Sequence, residues 1–158
     1  MTGLDKARML AVLVPAGLLA GAHGSQYLGG LTPCPMCFWQ RWPHFAALAF
    51  GVLSFLLIHR LPDRGRSLVW LAALAIVASG AIGAYHAGIE LGIFEGFTQC
   101  AASGARSLRE MLGQPLVRCD QVQWSLFGVS MAGWNAILSL GFGTLILWLS
   151  LRRPRIRS

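Results

Sequence analysis

The chain has 158 residues, of which 55% are hydrophobic and only 12% charged, a balance that excludes an ordinary soluble domain and reads as a single membrane domain. Its formal net charge of +7 would fit nucleic acid if the basic residues were spread along a polar chain. They cluster instead between and beyond apolar runs, as orientation in a bilayer requires.

Residues 1–8 form a short polar start with Lys6 and Arg8, and the apolar run over 9–31, about 23 residues, is long enough to span a bilayer. The charged start, the apolar stretch to Leu19 and the small residues Ala20-Gly21-Ala22 also have the form of a cleavable signal peptide. Apolar residues continue past Ala22, which favours a retained span, and Gly17 with Gly21 makes a small-xxx-small face suited to close helix packing. Residues 32–37 connect to a second span over about 38–58, with Gln40, Arg41 and His44 in its first two turns. Pro43 predicts a kink there, or the point at which regular helix begins.

A basic turn over 59–67 leads to the third span, about 68–91. It is rich in Gly and Ala, so its neighbours can approach closely, and it carries Tyr85, His86 and Glu90 near its far end. Residues 92–124 form the one long loop, holding Cys100 and Cys119; structureless loops of that length are uncommon unless functional. Within it Leu108, Met111 and Leu112 follow helical spacing between Ser103 and Gly113. They read as a short amphipathic helix on the bilayer surface or as a loop with incidental leucines. The fourth span, about 126–151, ends in Arg152, Arg153, Arg155 and Arg157.

The expected architecture is all-α: an integral membrane four-helix bundle with one long outer loop. Four spans put both termini and the basic turn on one side. Lys6 and Arg8, then Arg60, Arg64 and Arg66, then the four tail arginines give nine cations there, against Arg106, Arg109 and Arg118 opposite. The nine mark the cytoplasmic side, which places both termini inside and both cysteine pairs outside, in an oxidising compartment where disulfides persist.

The most informative stretch is Cys34-Pro35-Met36-Cys37-Phe38-Trp39-Gln40-Arg41. Cysteines separated by two residues are close enough to bridge, and a thiol near a helix N-terminus or a cation has its thiolate favoured. Pro35 is well placed in a first turn, and Arg41 lies one turn beyond Cys37 on the same face. A cation just inside the apolar layer is a functional candidate by default, against the plainer reading that it snorkels to the headgroups. Eighteen residues separate Cys100 from Cys119, so that pair can bridge only if the loop folds back. Zinc held by the two pairs is the main rival, but the second pair lacks the close ligand spacing of structural zinc sites.

In these features the chain resembles the disulfide bond formation protein B (DsbB) family of bacterial inner-membrane proteins. The similarity covers nearly the whole chain and rests on the C-x-x-C-x-x-x-R pattern of Cys34, Cys37 and Arg41, on Tyr85-His86, and on Cys100, Cys119 and Trp124 ahead of the fourth span. The resemblance implies a quinone-dependent thiol oxidase that reoxidises a soluble periplasmic thioredoxin-fold oxidant of the DsbA type. It implies that the partner's thiolate attacks Cys100, that Cys119 then attacks Cys34, and that Cys37 is left facing the quinone. The ring, ubiquinone or menaquinone, is expected at the outer membrane edge with Arg41 and His86 near its oxygens. Trp39, Trp42 and His44 are placed to line the site, although a lipid-facing aromatic belt accounts for the tryptophans equally well. Two other readings compete: a non-enzymatic membrane module stapled by two disulfides, and an oxidoreductase like vitamin K epoxide reductase, which the early position of the motif disfavours.

Overall fold

A computed structural model describes residues 2–96 and 118–152. Among them four long helices run in chain order, α1 (Gly3–Tyr27), α2 (Pro35–Leu56), α3 (Arg66–Glu90) and α4 (Met131–Leu151). Three of them, α1, α3 and α4, are long and apolar enough to cross a membrane. The 22-residue α2 runs beside them with Gln40, Arg41 and His44 in its first half. The chain is a multi-pass membrane protein built as a helical bundle.

The first helix begins six residues before the expected span, because Thr2 caps it: its hydroxyl accepts from Asp5 N while the Asp5 carboxylate accepts from Thr2 N, a reciprocal capping box. Arg8 therefore lies inside the helix and is buried, donating to Asp5 and, at 2.6 Å, to the Arg64 carbonyl of the turn before α3. The basic turn is fixed by Asp63, whose carboxylate accepts from Gly65 N and Ser67 N at 3.0 and 2.7 Å. Those bonds hold the exposed Asp63 carboxyl below the usual carboxylate range.

The last helix starts at Met131 rather than 126. The intervening residues form a hairpin, β1 (Ser125–Leu126) and β2 (Val129–Ser130), paired Ser125 to Ser130 and Leu126 to Val129. Its turn residues Phe127 and Gly128 have φ of 53° and 77°, the left-handed pair that a two-residue hairpin requires. Ser130 then caps α4, accepting from Gly133 N.

Helix α3 packs most extensively on α4 and α2, and its small residues explain why. A Cβ on Gly83 would stand 3.0 Å from the Ala132 carbonyl and the Asn135 amide, and one on Gly80 would meet Leu140 and Ser139. The expected small face of α1 behaves differently. Among the described residues nothing lies within 4 Å of a Cβ on Gly17 or Gly21, and both line a cavity instead. Close packing of α1 is made elsewhere, where Gly51 of α2 faces the Ala11 backbone. Around that contact the core is made of small and apolar side chains: Ala7, Ala11, Ala47, Ala72 and Ile76 are fully buried.

Candidate functional site

The site begins at the N-terminus of α2. Cys34 is its capping residue, and its sulfur accepts from Cys37 N at 3.3 Å; Pro35 follows at the first helical position, where its missing N–H costs nothing. The helix runs unbroken through Pro43, so Cys37 and Arg41 share a face, with Gln40 and His44 beside them. Both cysteines are free thiols, Cys34 buried and Cys37 partly so, with sulfurs 2.7 Å apart. The hydrogen bond with Cys37, together with burial, pushes the Cys34 thiol up.

Cys119 is disulfide-bonded and buried in one cluster with Cys34, Met36 and Ile89. Cys100 lies outside the described residues, as do Arg106, Arg109 and the expected helix at Leu108, Met111 and Leu112.

His86 joins the two cysteine regions. Its Nε2 is 3.2 Å from the Cys119 carbonyl and 3.7 Å from Cys34 Sγ, with a Glu90 carboxylate oxygen at 3.9 Å. On its other side Gln40 Nε2 donates to His86 Nδ1 at 2.8 Å. Gln40 also donates to the Met36 carbonyl, a group that only accepts, and receives a bond from Asn135 Nδ2 on its oxygen at 2.8 Å. The amide is thereby fixed in one sense, and the His86 ring with it: Nδ1 accepts, and Nε2 carries the hydrogen.

The chain of bonds continues inward. Asn135 Nδ2 donates to the Ser79 carbonyl and hydroxyl, and its oxygen accepts from Ser139. Ser79 Oγ donates to the Gln40 carbonyl at 2.7 Å. His44 Nε2 faces Ser79 Oγ at 2.9 Å and Asn135 Oδ1 at 3.0 Å, both acceptors toward it, so it too bears its hydrogen on Nε2. Its Nδ1 is buried and has no partner among the described residues. Cys34, Cys37 and His86 place three metal-binding atoms within 4.8 Å of one another.

Arg41 is buried on the α1 side, donating to Gln26 Oε1 at 2.6 Å and the Ala22 carbonyl at 3.1 Å, with the Phe38 ring 5.3 Å away. A guanidinium has five N–H groups, so two bonds leave donors for a ligand. Beside it opens a cavity of about 500 Å³, mainly apolar, bounded by Gly17, Gly21, Cys37, Arg41, His44, His86 and Trp124. Its volume is within the usual range for small-molecule sites, about 300–1,000 Å³.

Of the residues expected in the site, Cys34, Cys37, Arg41, His44 and His86 converge on this cavity. Trp39 does not line it. One position before Gln40, it is turned about 100° around the helix axis and is 54% exposed, the place of a lipid-facing belt residue. Asn135, Ser79 and Gln26 were not singled out by the sequence pattern, although a lone asparagine inside an apolar helix is itself a signal.

The whole pattern matches the family model described as disulfide bond formation protein DsbB, over residues 5–149. The chain belongs to the DsbB family. Proteins named disulfide bond formation protein B from Marinobacter nauticus and Methylococcus capsulatus are 34% and 32% identical to it, over 91% and 92% of this chain and 90% and 94% of theirs. The one from Stutzerimonas stutzeri is 26% identical over 92% of this chain and 93% of its own. No solved structure matches the chain. Its DsbB assignment thus joins a thiol pair at a helix N-terminus to disulfide bond formation in a membrane.

Proposed function

We propose that this DsbB-family chain is a quinone-dependent protein thiol oxidase that reoxidises a periplasmic thioredoxin-fold oxidant of the DsbA type. The reading is carried by one observation: the Cys34–Cys37 pair opens on a cavity that also contains a buried arginine. Ubiquinone or menaquinone, when bound there, supplies a two-electron, two-proton sink.

Residues toward that ring are Arg41, whose remaining donors can stabilise negative charge developing on an oxygen, and the apolar wall left open by Gly17 and Gly21. Thiol–disulfide exchange passes electrons by thiolate attack on a disulfide sulfur. In the proposed order the partner's thiolate attacks Cys100 and releases Cys119 as thiolate. Cys119 attacks Cys34 of the oxidised Cys34–Cys37 bridge, forming a Cys34–Cys119 bond and freeing the Cys37 thiolate beside Arg41. The positive end of α2 favours that charge. The arrangement has the active cysteines at the periplasmic face of the inner membrane and both termini in the cytoplasm, in keeping with the distribution of Lys and Arg.

Purified protein mixed with reduced partner and quinone should discharge the quinone absorbance, and Cys37→Ser should abolish this. Arg41→Ala should raise the quinone concentration needed by roughly tenfold or more, an effect of about 1.4 kcal/mol or greater, while partner exchange at Cys100 continues. Unaltered quinone kinetics in the arginine variant would remove Arg41 from the mechanism, and a wild-type protein that leaves the absorbance unchanged would remove the function.

A further inference from the structure

Among the described residues two arginines are buried, Arg8 at 2% and Arg41 at 8% exposure, and their partners differ in charge. Arg8 donates to the Asp5 carboxylate. Arg41 is held by neutral groups alone among those residues: Gln26 Oε1 at 2.6 Å, the Ala22 carbonyl at 3.1 Å and the Phe38 ring at 5.3 Å. Ala22 and Gln26 stand one turn apart on α1, so both oxygens meet the guanidinium from one side. We propose that Gln26 is the positioning residue of Arg41, its amide oxygen fixing the guanidinium beside the cavity without neutralising it, so that the full charge is left for the Cys37 thiolate and the bound ring.

The inference rests on the use of Arg41 proposed above and adds what keeps its charge available. Among the described residues Cys37, Arg41 and Ala22 line the cavity and Gln26 does not, so Gln26 acts through the guanidinium and not on the ring. A carboxylate in its place would accept the same hydrogen bond and hold it more strongly, since charge-assisted bonds are roughly twice as strong as neutral ones. It would also cancel the cation's field at Cys37, one turn away on the same face of α2. A thiolate is favoured by a cation nearby, and in a site with little water a closed ion pair presents a dipole where a lone cation presents a charge. The amide gives aim without cancellation.

The test separates aim from charge. In a Cys34→Ser background, with Cys119 held in its disulfide and neither quinone nor partner present, the pH profile of Cys37 alkylation is measured. The other titratable or charged groups that face the cavity or pack with Cys37 are left in place: His44 on α2, Tyr85, His86 and Glu90 on α3, and Arg118 before Cys119, with none on the lining stretches of α1 and α4. Gln26→Glu keeps the acceptor and should slow Cys37 alkylation at neutral pH by about tenfold, moving its profile up by about one pH unit, while the thermal midpoint stays at or above the parent's. Gln26→Leu removes the acceptor but leaves the charge, and should move the profile the same way by a smaller step. Equilibrium quinone binding should weaken in the same order. A merely structural Gln26 would give the reverse order, with Gln26→Glu matching the parent and Gln26→Leu falling below it, and that result would overturn the proposal. Arg41→Ala serves as the reference: if it moves the Cys37 profile and Gln26→Glu does not, the proposal falls while the role of Arg41 stands. Absence of quinone reduction by the parent protein would sink the oxidase reading alone, since the alkylation profile uses neither quinone nor turnover.

Discussion

At one end of the bundle Ala7, Ala11, Ala47, Ala72, Ala73 and Ile146 bring four helices together in a cluster of small and apolar side chains. At the other end the same helices are held by amides, hydroxyls and imidazoles, and they enclose a cavity. Glycine occurs at both ends with opposite effect. Gly51 is filled by the Ala11 backbone, whose carbonyl would lie 2.7 Å from an added Cβ, whereas none of the described residues stands within 4 Å of one on Gly21. A small residue closes a helix contact only if the neighbour's backbone moves in. Where Arg41 reaches across to Gln26 and the Ala22 carbonyl, α1 is held by hydrogen bonds and the space remains.

The largest expected effect separates these two uses. Gly51→Leu must force α1 and α2 apart, and overpacking of this kind costs about 1–3 kcal/mol or more. The thermal midpoint in detergent should fall well below that of the parent. Gly21→Leu should leave the midpoint nearly unchanged and raise the quinone concentration needed for turnover by roughly tenfold, about 1.4 kcal/mol. Equal losses of midpoint in the two variants would show that Gly21 is a packing residue after all.

The four helices were legible because each apolar run is long and bounded by charge or a cap, and bilayer thickness leaves few alternatives. Cys34, Cys37 and Arg41 were legible for a different reason: their spacing of three and four is the helix repeat itself. Trp39 stayed open between the site and a lipid-facing belt because residue type alone does not say which side of a helix faces lipid; its 54% exposure follows from the one-position offset from Gln40. Asn135 was missed because its partners Gln40 and His44 are 95 and 91 residues away, a distance that no local pattern spans. The hairpin at 125–130 was absorbed into the fourth span since Leu126, Phe127 and Val129 are as apolar as the helix they precede. Only the turn geometry at Phe127 and Gly128 separates them.

The smallest expected effect is at the turn joining α2 to α3, outside both regions. Asp63 closes that turn by accepting from Gly65 N and Ser67 N, and these bonds lower its carboxyl below the usual range. A carboxyl lowered by folding contributes stability above its unfolded value and loses it as pH falls through the folded one. Asp63→Ala should therefore lower the thermal midpoint modestly at neutral pH, on the order of 1 kcal/mol as for a helix cap, and the gap to the parent should close as the pH is taken below the carboxylate range. Neither quinone binding nor Cys34 reactivity should respond, because the turn touches neither the cavity nor α4's polar end. A gap that persists unchanged in acid would mean that the side chain's bulk, rather than its charge, holds the turn.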